Sequence, residues 1–127
     1  MKIGNIKFKA KRLDNGEWVK GDLAHYLDGG LNIFGFTREN GVDGYSGVHL
    51  IAPKTVCQFT GLKDCKEKEL FEHDIIHFIG FRHTAEVIWS EGNYAFMVVC
   101  DNKHFYWLHD VIEVNKIEVV GNKFDKK

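Results

Sequence analysis

Seven histidines, three cysteines and eighteen carboxylates are the groups in this 127-residue chain that could ligate a metal or carry a reaction. Their spacing decides how much chemistry they can do. The run His73-Asp74-Ile75-Ile76-His77 has the four-residue separation that presents two imidazoles to one zinc ion on a helix. The alternation around it belongs to a strand, where a rise of ~3.3 Å per residue sets the two Cα atoms about 13 Å apart, beyond the reach of one tetrahedral ion. His77, on the face shared by Ile75 and Ile79, is expected as a hydrogen-bonded core or interface residue. His104 and His109 lack a cysteine or carboxylate at a diagnostic spacing. A thiol nucleophile needs a depressed pKa and a base in reach. Cys57 falls in a strand and Cys100 at the end of another, which leaves Cys65, in a turn between Asp64 and Lys66, as the one reactive candidate. The chain has no glycine-rich phosphate loop, nucleophile elbow or paired-carboxylate motif. The expectation is no catalytic residue, no metal and no cofactor.

The remaining candidates bind rather than react. Lys7, Lys9 and Lys11 alternate with Ile6, Phe8 and Ala10, and Arg12 follows, so a strand here puts three ammonium groups on one exposed face. Phosphate contact is one use of such a face. Solubility and the blocking of edge-to-edge pairing are commoner ones. Phe34, Phe36 and Tyr45, with Arg38 among them, stand in a glycine-rich stretch where rings can stack on bases or pack on a partner subunit. The candidate contacts, for nucleic acid or for a protein partner, are therefore Lys7, Lys9, Lys11, Arg12, Phe34, Phe36, Arg38 and Tyr45.

Thirteen glycines against one proline, with β-branched and aromatic residues in short runs, predict strands separated by tight turns. Asp14-Asn15-Gly16 predicts a hairpin turn into Glu17–Leu23. The stretch 28–47 predicts a short strand over Leu31 to Phe36 and then a long loop around Asn40–Gly44. Val48–Ile51 and Thr55–Phe59 are two more strands broken at Pro53. Farther on, Ile75–Ile79, Ala85–Trp89 and Tyr94–Val98 alternate with both faces apolar, which predicts an antiparallel meander, completed by Phe105, Trp107, Ile117, Val119 and Val120. An SH3-like barrel or a coiled antiparallel sheet covers such faces. Helix is minor, a turn or two over Glu67–Phe71 and His109–Val114.

The length suits one all-β domain over 1–127, with an N-terminal β-hairpin region at 1–58, an SH3-like region at 59–123 and a frayed tail at 124–127. A formal net charge of −1 excludes a field of one sign over the whole protein. An odd number of cysteines without paired spacing, and no secretory signal at the start, imply reduced thiols in cytoplasm. No apolar run approaches the ~18 residues of a membrane span, and a soluble protein is expected.

Several blocks occur in a recognisable order. They are Ile6–Ala10, Glu17–Leu23, Pro53–Val56, the central Gln58-Phe59-Thr60-Gly61-Leu62-Lys63-Asp64 with Lys68–Ile76, and Glu118–Asn122. The set resembles the YopX-like proteins, small proteins encoded by phages and prophages, for which no general biochemical activity is established. The resemblance covers nearly the whole chain and implies their fold. It also implies a lysine where Cys65 stands, which argues against catalysis there. Glu67 and His73 occupy positions where that pattern has glycine. Together these features lead us to expect a non-enzymatic phage or prophage accessory protein in the cytoplasm of the host bacterial cell. Its action would be protein–protein interaction with an unidentified host or phage protein and self-association into a homo-oligomer, without a membrane. The alternative is a nucleic-acid-binding accessory protein using the basic face of the first hairpin.

Overall fold

The alternation at the start of the chain becomes β1 (Phe8–Lys11), which turns through Asp14-Asn15-Gly16 into β2 (Trp18–His25). Asn15 Oδ1 accepts the Glu17 N–H at 2.9 Å, the local closure by which asparagine favours a turn. A computed structural model describes residues 3–26, 30–101 and 103–125, apart from the side chains of residues 38 and 39. Its chain divides into two compact units, Met1–Phe59 and Thr60–Lys127. Strands hold 58% of it and helix 11%, which makes the class all-β as expected.

In the first unit β2 is followed by β3 (Leu31–Glu39) and β4 (Val42–Leu50), all antiparallel. The long loop expected there is in fact this hairpin; residues 28 and 29 of the predicted stretch lie outside the described residues. Asn40 and Gly41, at φ 52° and 77°, form the two-residue turn that matches the twist of paired strands. The glycines do not break the ladder, because Gly21 stands opposite Gly35 and a Cβ on Gly21 would run into the Phe34 carbonyl oxygen. They mark close approach of backbones, which the sequence pattern shares with loops. A short 3-10 turn at Pro53–Thr55 leads into β5 (Cys57–Lys63), whose first residues pair with β1 in the order β4-β3-β2-β1-β5. Ala10, Val19, Ile33 and Ile51 form the core of this unit, with Phe8, Leu23, Leu31 and Val56 against them.

The second unit begins where β5 runs on beside β6 (Glu69–Phe71). The helical turn expected over Glu67–Phe71 is a left-handed Glu67 followed by that short strand. The meander follows as β7 (Asp74–Phe78), β8 (Thr84–Ser90), β9 (Ala95–Cys100) and β10 (His104–Trp107), then α1 (Leu108–Val114) and β11 (Ile117–Asn122). Its strand order is β10-β9-β8-β7-β11, all antiparallel. The sheet does not close into a barrel, so the SH3-like form is corrected to an open antiparallel sheet. Instead of closure, α1 covers one face: Leu108 and Val111 pack with Ile76, Val87, Val98 and Ile117.

The central block has structural work in this unit. Asp64 Oδ1 accepts the Lys66 and Lys68 N–H groups at 2.9 and 2.8 Å, and its Oδ2 accepts the Val119 N–H at 2.9 Å. Asp74 Oδ2 accepts the Phe71 N–H at 2.8 Å, while its Oδ1 takes the Asn122 side-chain amide at 2.9 Å. Thr60 Oγ1 donates to the Leu70 carbonyl at 2.8 Å. Near the end of the chain, Phe124 N–H donates to Asn122 Oδ1 and the Phe124 ring sits 5.3 Å from that of His73. Residues 126 and 127 of the predicted frayed tail lie outside the described residues.

Candidate binding face

β3 exposes its even-numbered rings because strand side chains alternate, and Ile33 and Gly35 take the buried side. Phe34 and Phe36 thus share a face. The register slips after Gly35, which pairs with Gly47 while Phe36 pairs with Tyr45, so that Ser46 is the extra residue of a β-bulge. The slip brings Tyr45 between the two phenylalanines. Its ring lies 4.8 Å from Phe34 and 5.8 Å from Phe36, both edge to face, the arrangement aromatic quadrupoles favour. Phe34, Phe36, Tyr45 and the neighbouring Val48 remain 41%, 39%, 66% and 56% exposed. The rings are arranged by each other and left uncovered.

At the outer half of this hairpin a cleft of about 350 Å³ is lined by Gly4, Lys7, Phe36, Thr37, Asp43, Gly44 and Tyr45. Three of the eight predicted contact residues meet there. The other four lining residues were missed, because Asp43 and Gly44 looked like loop and Gly4 carries no side-chain signal.

The lysine row is not the exposed face expected of it. Lys7 Nζ lies 4.7 Å from the Phe59 ring centroid, and Lys9 and Lys11 place theirs 4.7 and 5.4 Å from that of Trp18. All three are half-buried, their stems laid over aromatic surface with the charge held against a ring face. Arg12 turns toward the hairpin turn, its Nε and terminal nitrogen donating to Asp14 at 3.0 and 2.6 Å. That hydrogen bond is the main reason the Asp14 carboxyl lies below the usual range. The side chain of Arg38 lies outside the described residues.

Groups that could react are placed apart. His77 accepts no role with His73: its Nε2 faces the Phe81 carbonyl at 2.6 Å and its Nδ1 faces Glu118 at 3.3 Å, whereas His73 Nδ1 faces Glu86 at 3.0 Å. Lys66 bonds Glu118 at 2.6 Å, which, with His77 after it, lowers the Glu118 pKa. Among the described residues no three His, Cys, Asp or Glu side chains converge as a metal set would. Burial, and then the Asp101 charge, push the Cys100 thiol up, away from the thiolate. Cys57 is buried with its Sγ on the Thr55 carbonyl, and Cys65 is exposed. One pair escaped notice in the sequence: Ser46 Oγ and His49 Nε2 stand 2.8 Å apart, where Gly35 leaves room for them. Among the described residues no carboxylate accompanies that pair as an orienting group. No helix among the described residues is long and apolar enough to cross a membrane.

The fold and its exposed rings define a small all-β protein of two antiparallel sheets with an exposed aromatic face. The YopX protein family model matches residues 7–126, and the chain belongs to that family. No curated protein matches the sequence.

Proposed function

We propose that this YopX-family protein is a non-enzymatic accessory protein of a phage or prophage, acting in the cytoplasm of the bacterial host by protein–protein interaction and self-association. The observation that carries the reading is the aromatic face of the β3–β4 hairpin. Rings that stack on one another yet stay half exposed lose little further side-chain freedom when a partner covers them, and such aromatics concentrate binding energy in protein interfaces. The cleft beside them adds a lysine and an aspartate at the rim, where charge fixes orientation more than affinity.

The double variant Phe34→Ser/Tyr45→Ser tests this. It is expected to fold, to lose capture of its partner from nuclease-treated host lysate, and to leave the mass of the wild-type assembly unchanged. Capture that survives the double substitution removes the hairpin as the binding face. Light scattering at micromolar concentration is expected to give a mass above one protomer, and a monomeric mass removes self-association.

A second reading, nucleic-acid binding, draws on one observation: Lys7 shares the cleft with the Phe36 and Tyr45 rings. A cation beside stacking platforms suits a single strand. The remaining lysines, over Trp18, lend it less.

A further inference from the structure

Strand edges left without a neighbour are templates for pairing with another chain, and most of those in this protein are blunted. β4 carries Asp43, two glycines and the Ser46 bulge. β6 is three residues long. The outside of β11 is sealed by the central block, where the Cys65 N–H donates to the Ile117 carbonyl at 3.0 Å and the Val119 N–H to Asp64 Oδ2 at 2.9 Å. β10 is different. Among the described residues it pairs with β9 alone, and His104, Phe105, Tyr106 and Trp107 are all exposed, with no lysine, proline or bulge among them. A groove of about 370 Å³ opens beside it, lined by Phe78, by Phe105, Tyr106 and Trp107 of β10 and by Val111 and Val114 of α1.

We infer that β10 is the surface through which two copies of this chain join, each laying its β10 antiparallel to the other so that two five-stranded sheets continue as one. The inference rests on the self-association proposed above and names its surface. Charge supports a second copy as the occupant. Antiparallel pairing about a two-fold axis brings the start of one β10 to the end of the other, so exposed Lys103 of each copy approaches exposed Asp110 in the first turn of the other's α1. The exposed apolar surface at this edge sets the strength of the pair. Phe105, Tyr106 and Trp107 are 54%, 50% and 39% exposed and Val114 is 79% exposed. With aromatic side chains at ~200 Å² each, the patch offers on the order of 400 Å² per copy. Two copies then bury roughly 800 Å² of these side chains, the size of a weak, reversible pair. Each strand also meets the other's rings as cross-strand aromatic pairs.

The experiment uses the full chain. Light scattering on the wild type is expected to give two protomers or a multiple of two, and Phe105→Lys, at an exposed position, is expected to weaken the pair by about tenfold or more. Lys103→Asp and Asp110→Lys should each weaken it, and the two together should restore it. Hydrogen exchange on the wild type is expected to show protection of the 104–107 amides that rises with protein concentration. A monomeric wild type overturns both this inference and the self-association beneath it. An assembly unchanged by Phe105→Lys and by Asp110→Lys, or one whose 104–107 amides stay unprotected, overturns the β10 surface and leaves self-association standing.

Discussion

At the scale of single residues, two positions show how a left-handed backbone is held by residues other than glycine. Glu67 and His73 hold φ 64° and 70°, the left-handed region that crowds a Cβ against its own backbone. The cost is about 1 kcal/mol for each, and it is offset differently. Glu67 has only an exposed contact at 3.9 Å to Lys63, which contributes little. His73 faces Glu86 at 3.0 Å and packs edge to face on Phe124. Glu67→Gly is therefore expected to raise the melting temperature by about 3–5 °C, and His73→Gly to give no gain because it removes those contacts. Thermal melts of both variants check this. An unchanged or lowered value for Glu67→Gly would mean that the turn does not hold its left-handed geometry in solution.

At the scale of elements, the central block works as a clamp. Asp64 closes its own turn through two backbone N–H groups and reaches Val119 of β11 with its other oxygen, which ties the turn to the edge of the five-stranded sheet. Burial is the largest influence on its carboxyl and pushes it up, but the Val119, Lys68 and Lys66 donors together outweigh it and leave the pKa below 3.8. A carboxyl depressed by folding contributes stability that is present above its unfolded pKa and lost as pH falls through its folded one. Asp64→Ala is thus expected to cost about 2–4 kcal/mol at neutral pH. The gap from wild type should narrow as pH falls below about 3.8, since the protonated wild type loses the same interactions. Denaturant unfolding at several pH values measures this, and a gap that stays constant into strong acid counts against the clamp. The block's identity could be read from the sequence, and so could the elements whose alternation was local: β1–β2, the β7–β9 meander and α1. What was hidden is of another kind. Gly44 and Gly47 look like loop because glycine serves a paired strand and its bulge as readily as a turn. The bulge at Ser46 also breaks the period of two that would have announced β4. Closure into a barrel could not be told from an open sheet, because α1 covers the same apolar face that closure would have covered.

Across the whole molecule, charge is the property that decides between the two functional readings. The chain carries a formal net charge of −1, so attraction to a polyanion must come from a local cluster. The row of cations singled out near the start of the sequence is Lys7, Lys9 and Lys11, and each holds its ammonium within 5.4 Å of a ring centroid on Phe59 or Trp18. A lysine so placed contributes to stability through its stem and its charge, roughly 0.5–1 kcal/mol each at partly exposed sites. The triple variant Lys7→Ala/Lys9→Ala/Lys11→Ala is accordingly expected to melt several degrees lower while keeping its protein partner. Single-stranded DNA should bind the wild type weakly and without a steep salt dependence. Three lysines released onto phosphates would give the opposite result, a log–log salt slope of about −2 for a single strand and nearer −3 for a duplex. Such a slope in the wild type, abolished in the triple variant, would move the function to nucleic acid and make the cleft at Lys7 its entry point. A slope near zero with the stability loss intact would mean that the basic row serves the sheet it lies on, and that the exposed rings of β3 and β4 carry recognition.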